Sequence, residues 1–271
     1  MQIFALFFLP LPSFGQESTG SSLNQNEHKI DPIIISSLAP TGKLRVGINL
    51  GNPVLAGTDS ITQKPKGVSV DIANFIAGRA NLPIEFIPFQ SAGATVEAIK
   101  FGDIDMIFVA IDPVRGNDIA YTPAYIQIEG AYLVKSTSTI LSNDQVDAVG
   151  NEILVGKGSA YDLFLTREIK NATITRTVNS QSVVDVFMSG KGNVAAGVKQ
   201  QLESDSKRYN DLRILPGRFM VINQSIGIPK ARPNSDKTIA HLSDLITELK
   251  TSGFIASAMK KHNIEGAKVA D

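Results

Sequence analysis

From residue 44 onward, short alternating or continuous apolar runs take turns with longer segments of helical spacing. Leu44 to Asn49 (LRVGIN) alternates and is β-branched enough for a strand, and Gly51-Asn52-Pro53 breaks it. Thr58 to Lys66 is polar and rich in turn residues, which predicts a hairpin or loop. Val70, Ile72, Ala73, Ile76, Ala77 and Ala80 have the spacing of a helix with one buried face, and Asn81-Leu82-Pro83 ends it. Ile84 to Phe89 is the next strand. Ala92 to Phe101 is a helix of small residues stopped by Gly102, and Met106 to Ala110 is a buried strand. Strand, helix, strand, helix, strand calls for a parallel sheet with right-handed crossovers.

Ile119 to Tyr125 and Glu129 to Val134 are extended, Lys135 to Val149 is polar, and then the pattern starts again. Strands are predicted at Ile153 to Gly156, Thr173 to Val178, Val194 to Val198 and Leu212 to Leu215. Between them come helices at Ser159 to Lys170, Ser182 to Ser189 and Gln200 to Ser206. The first two open as Ser-x-x-Asp (Ser159/Asp162 and Ser182/Asp185), the pattern of a capping box. A strand-like run at Met220 to Ile228 precedes helices at Ser235 to Lys250 and Gly253 to Lys261. Two α/β units in tandem predict two lobes. The late helix pair should pack back on the first sheet, so that the chain crosses between lobes near residues 130–136 and 219–225. The expected plan is a discontinuous first lobe, residues 41–133 and 222–271, and a second lobe, residues 134–221. A secretory signal at 1–15 and a flexible segment at 16–40 precede them.

Composition narrows the partners. Charges balance at 26 against 26 with no run of one sign, which argues against nucleic acid or an anionic membrane surface. The absence of cysteine excludes disulfides, thiolate metal sites and a lipidated cysteine anchor. His28, His241 and His262 lie too far apart for metal-ligand spacing, so no metal or cofactor is expected. Ile3 to Phe14 is apolar and too short to span a bilayer, as in the core of a secretory signal. These features predict an exported protein without a lipid anchor.

Candidate chemistry centres on Arg115, just past the carboxyl end of the strand Met106 to Ala110. Open α/β sheets place their ligands there, and a guanidinium matches a carboxylate in shape and charge. Gly156-Lys157-Gly158-Ser159-Ala160-Tyr161 mimics a dinucleotide fingerprint, but Tyr161 stands at the third glycine's place. Two Ser-x-x-Lys matches (Ser204/Lys207 and Ser257/Lys260) lack the companion motifs of penicillin-recognising enzymes.

GVSVDIANFIAGRANLPIEFIPF, IDPVRGNDIAYTPAY and VGKGSAYDLFL, in that order and spacing, resemble the periplasmic solute-binding proteins of ATP-driven importers, polar-amino-acid branch (family 3). The resemblance covers Leu44 to Lys261. It implies an α/β type II periplasmic-binding fold, two Rossmann-like lobes joined by a two-strand hinge, and a periplasmic monomer with a small-molecule ligand and a membrane ABC permease as partners. It also implies that Arg115 grips the ligand carboxylate, that backbone at Val109 to Ile111 (Ala110 at its centre) meets an ammonium, and that Ser159 and Ala160 complete the cradle. Asn49, Asn52 and Tyr161 join this set. Departures are equally specific. The family's acidic residue after the late strand of lobe two is absent from AAGVKQQL, where Val198 and Lys199 stand, and Asn52 and Ala92 replace the aromatics that sandwich the ligand. Asp112 is one candidate partner for an ammonium, and Lys199 for a second ligand carboxylate. The expected function is a receptor for an amino acid or similar small carboxylate. The alternatives are a cyclohexadienyl-dehydratase-like enzyme, with Glu129 or Asp112 as general acid, or a sensor partner of a membrane kinase.

Overall fold

A computed structural model describes residues 30–271, so the expected signal segment lies outside the described residues. Helix α1 (Pro32–Leu38) falls where a flexible segment was expected. Asp31 accepts from the Ile33 amide at 2.9 Å and Pro32 starts the first turn. The helix end is pinned by Ser37, whose hydroxyl donates to the Pro233 carbonyl and whose carbonyl accepts from Arg232.

The remaining elements follow in chain order. Strand β1 (Leu44–Asn49) leads to the small hairpin β2 (Gly57–Thr58) and β3 (Pro65–Lys66), helix α2 (Val68–Arg79), β4 (Ile84–Phe89), α3 (Ala92–Lys100), β5 (Met106–Ala110) and β6 (Ile119–Tyr121). The long β7 (Ile126–Lys135) leads to β8 (Glu152–Gly156), α4 (Ala160–Glu168), β9 (Thr173–Thr177), α5 (Val183–Met188), β10 (Val194–Val198), α6 (Lys199–Ser206) and β11 (Leu212–Ile214). The equally long β12 (Met220–Pro229) returns to α7 (Ser235–Thr251), α8 (Phe254–Lys261) and a closing β13 (Lys268–Val269). The elements predicted between Leu44 and Lys261 are found to within a few residues, while α1 and β13 were not predicted.

The strands run β4-β1-β5-β12-β7-β10-β8-β9. In each half three strands are parallel and a fourth, antiparallel strand closes the set: β12 on β5 in one half, β7 on β10 in the other. The long strands β7 and β12 pair with each other in the middle. At Gln224, β12 leaves β7 for β5; at Gly130, β7 leaves β12 for β10. That register brings the last residue of β5, Ala110, and the last residue of β10, Val198, toward one line. The carboxyl ends of both parallel sets therefore face each other, where doubly wound sheets hold their ligands. Gly130 is fixed by close packing, since a Cβ there would stand 2.7 Å from Met220 and 2.9 Å from Phe219. This is the type II periplasmic-binding fold, with two strands joining two α/β halves.

Both halves are filled by apolar side chains. The largest cluster runs from Val46, Ile72 and Ile76 through Met106, Ile126 and Ile226 to Ile153 on β8 and Val194 on β10. Smaller clusters sit under α5 around Phe187 and under α3 around Ile99. One capping expectation fails. Ser182 has helical dihedrals (φ −83°, ψ −6°) and makes no cap bond. Its hydroxyl donates to the Asn179 carbonyl, while Asp185 accepts from Tyr209 and pairs with Arg208.

Candidate functional site

Arg115 reaches its position through a turn that its own sequence builds. The Asp112 carboxylate accepts from the Val114 amide at 2.9 Å, the Asp112 carbonyl accepts from Gly116, and Arg115–Asn117 form one turn of 3-10 helix. The guanidinium is then folded back under β5, only 4% exposed. Nη1 donates to the Ala110 carbonyl at 3.1 Å, and Nη2 donates across the halves to the Gly158 carbonyl at 2.7 Å. Among the described residues no carboxylate lies within ion-pair distance of it. Desolvation accordingly pulls its pKa below the ordinary arginine value.

Opposite stands the start of α4. Ser159 caps it by accepting from the Asp162 amide at 3.0 Å. Asp162 does not return the bond to Ser159, as a full capping box would; it accepts from the Gly158 amide at 2.8 Å and pairs with Arg176. The Ala160 and Tyr161 amides meet no acceptor among the described residues, so they carry the positive end of the helix dipole into the space facing Arg115. Tyr161 is buried, and its hydroxyl donates to Ser180 at 2.8 Å. Burial raises the Tyr161 pKa above the ordinary tyrosine value, so the ring stays a neutral donor.

These groups line one cavity. Its space for the centres of water-sized groups is ≈ 40 Å³. Asn49, Asn52, Ala110, Arg115, Ser159, Ala160 and Tyr161, all named from the sequence, border it, as does Ala92. Asn49 and Asn52 use their side-chain oxygens on the Gly51 and Val54 amides, which leaves both NH₂ groups as donors. Val109 and Val198, also singled out in the sequence, border it too, and residues the sequence reading missed complete the wall: Gly51, Phe108, Ser180, Ile222 and Gln224. Gln224 had only a shared signal, as one of three polar residues (Asn223, Gln224, Ser225) interrupting the apolar run MVINQSIGI; Ser180, on a loop, had none.

Asp112 and Lys199, the other two residues of the predicted set, do not border the cavity. Asp112 is buried against Arg167 of α4 at 2.9 Å, a bridge between the halves. Lys199 is drawn 3.4 Å from Glu129, which also pairs with Arg218. The Arg218 guanidinium holds the Glu129 carboxyl below the usual carboxylate range. Among the described residues no group of acidic, histidine or cysteine side chains is placed to hold a metal.

A doubly wound pair of halves, joined by two strands and enclosing a small polar cavity, defines a solute-binding protein of the type II class. The chain belongs to the bacterial extracellular solute-binding proteins, family 3, whose sequence model matches residues 44–265. A search of curated protein sequences finds no match. Among solved structures, a mutant of ArgBP from T. maritima superposes with a TM-score of 0.72 at 18% identity, over 86% of this chain and 100% of the other. A solute receptor for L-cysteine of Neisseria gonorrhoeae gives 0.72 at 19% identity, over 86% and 94%. An ancestral amino acid-binding protein described as a precursor of cyclohexadienyl dehydratase gives 0.70 at 17%, over 84% and 98%. None of the described helices is long and apolar enough to cross a membrane.

Proposed function

We propose that this protein is a periplasmic receptor that captures a small carboxylate of amino-acid size between its two halves and hands it to a membrane ABC permease. One observation carries the reading: Arg115 is a buried cation with no carboxylate of its own, facing the unbonded amides at the start of α4. A guanidinium taken out of water costs several kcal/mol unless an anion joins it. A ligand carboxylate fits that place. It would accept from the Arg115 fork on one side and from the Ala160 and Tyr161 amides on the other, both charge-favoured donors.

The moving bodies proposed here are residues 41–133 with 222–271, and residues 134–221. Because Arg115 belongs to one and α4 to the other, the ligand meets both sets of donors only when the halves are together, and binding therefore shifts the population toward closure. Direct contacts already cross the divide: Arg115 to Gly158, Asp112 to Arg167, and Gln181 Nε2 donating to the Leu50 carbonyl at 3.0 Å. The names of the similar structures, receptors for amino acids, support the size and class of ligand. The dehydratase-like alternative has one such name behind it, the precursor of cyclohexadienyl dehydratase, but the acids considered for general-acid work, Asp112 and Glu129, are both ion-paired and outside the cavity wall.

Calorimetry on the Arg115→Ala variant, with a panel of amino, hydroxy and oxo acids, tests the reading. Affinity for any acid the wild type binds should fall by about 2–5 kcal/mol, because a buried carboxylate loses its partner. Unchanged affinity would sink the assignment.

A further inference from the structure

We infer that the preferred ligand is a compact monocarboxylic acid with a neutral polar group at its second carbon, a 2-hydroxy or 2-oxo acid, and not the corresponding α-amino acid. The inference rests on the carboxylate-receptor reading above and concerns what lies beside the carboxylate.

The argument is a charge balance. Arg115 is the charged side chain among the described residues that border the cavity, and none of the others is acidic. A monoanion neutralises it. An α-amino acid would add an ammonium close to the guanidinium, with no carboxylate to face it. The nearby acids are all committed. Asp112 has Arg167 at 2.9 Å on one oxygen and the Val114 amide at 2.9 Å on the other. Asp162 accepts from the Gly158 amide at 2.8 Å and pairs with Arg176 at 3.0 Å. Glu129 is held by Arg218 and Lys199. Freeing any of them for an ammonium would leave an arginine or lysine without its partner, so the exchange gains nothing.

The wall is instead furnished for a neutral polar group. Gln224 is 6% exposed, and its side chain has no hydrogen-bond partner among the described residues. It sits where β12 changes partner, directly across from Ala110 in register. A carboxamide can exchange hydrogen bonds both ways with a hydroxyl or donate to a keto oxygen; its oxygen could accept from an ammonium but carries no charge to balance it, and the Asn49 and Asn52 NH₂ groups add donors that an ammonium cannot use. Hydrogen-bonded neutral groups enter such a site at little cost, whereas an unpaired buried ammonium loses several kcal/mol of hydration. The ≈ 40 Å³ of water-centre space, against roughly 10–15 Å³ for one water, limits the body of the acid to a few carbons.

Titration calorimetry of the purified full chain against matched triplets of three to six carbons tests this, each triplet holding the L-amino, 2-hydroxy and 2-oxo acid of one skeleton. The expected result is that, in the skeleton that binds best, the hydroxy or oxo acid binds at least about ten-fold tighter than the amino acid. Arg115→Gln and the charge-keeping Arg115→Lys should both weaken that binding. If the amino acid of that skeleton binds as tightly or more tightly and still depends on Arg115, the inference is overturned and the receptor reading stands. If no acid of the panel binds, or binding ignores both substitutions, the receptor reading falls and the inference with it.

Discussion

Two arginines mark the two ends of β5, and they differ in what they face. Arg45, beside its start, gives Nε and Nη2 to the buried carboxylate of Asp105 at 2.9 and 2.8 Å, and Arg232 joins the same carboxylate at 2.9 Å. Asp105 holds the Arg45 pKa above its ordinary value. Arg115, past the other end, has only carbonyls, and its pKa moves the opposite way. The first cluster is internal and structural; the second holds no carboxylate of its own, the place proposed for the ligand's. Asp105→Ala should cost about 3–5 kcal/mol in urea denaturation, because it strands two arginines around an apolar core. A loss under about 1 kcal/mol would show that the cluster contributes little. The sequence made Arg115 legible because it follows a continuous apolar strand and a Pro turn. It could not separate Asp105 from Asp112, two acids in one short stretch, because the arginines that claim them lie far along the chain.

Elements were the most legible level, since alternating and helical spacing set β1, β4, β5, β10 and α2 almost to the residue. What escaped was pairing over distance. Nothing local distinguishes the halves of β7 that lie against β12 and β10, because the change of partner at Gly130 is decided by strands arriving later. Capping was only partly legible: Ser159 caps α4, while Ser182 sits in a turn already helical and caps nothing. Backbone meets backbone across the halves where α3 faces the loop before α4, and a Cβ on Gly93 would stand 3.4 Å from the Gly158 Cα. A methyl is tolerated there, but the branches of valine would push against backbone. Gly93→Val should therefore hold the halves apart, weakening ligand binding at least about ten-fold. Its position in a partly exposed first turn keeps the thermal midpoint within a few degrees, as for most surface substitutions. Wild-type affinity in this variant would show that binding does not require the halves to meet.

At the scale of the whole molecule, the arrangement would, on the proposed reading, convert one small anion into a change of shape. Each half contributes donors that are insufficient alone, and the long strands β7 and β12 are the covalent paths between them. The fold was readable from the order of elements, and its family from three short strings. The cavity wall was readable only in part, because Ser180 comes from a loop and Ile222 and Gln224 from β12, whose neighbours β5 and β7 lie far back along the chain. The central claim is that a ligand carboxylate sits between Arg115 and the first amides of α4. The direct measurement is a crystal structure of the protein with the tightest-binding acid of the triplet panel. The account predicts carboxylate oxygens within about 3 Å of the Arg115 guanidinium and of the Ala160 or Tyr161 amide. A ligand bound elsewhere, or one whose carboxylate points away from Arg115, would contradict it.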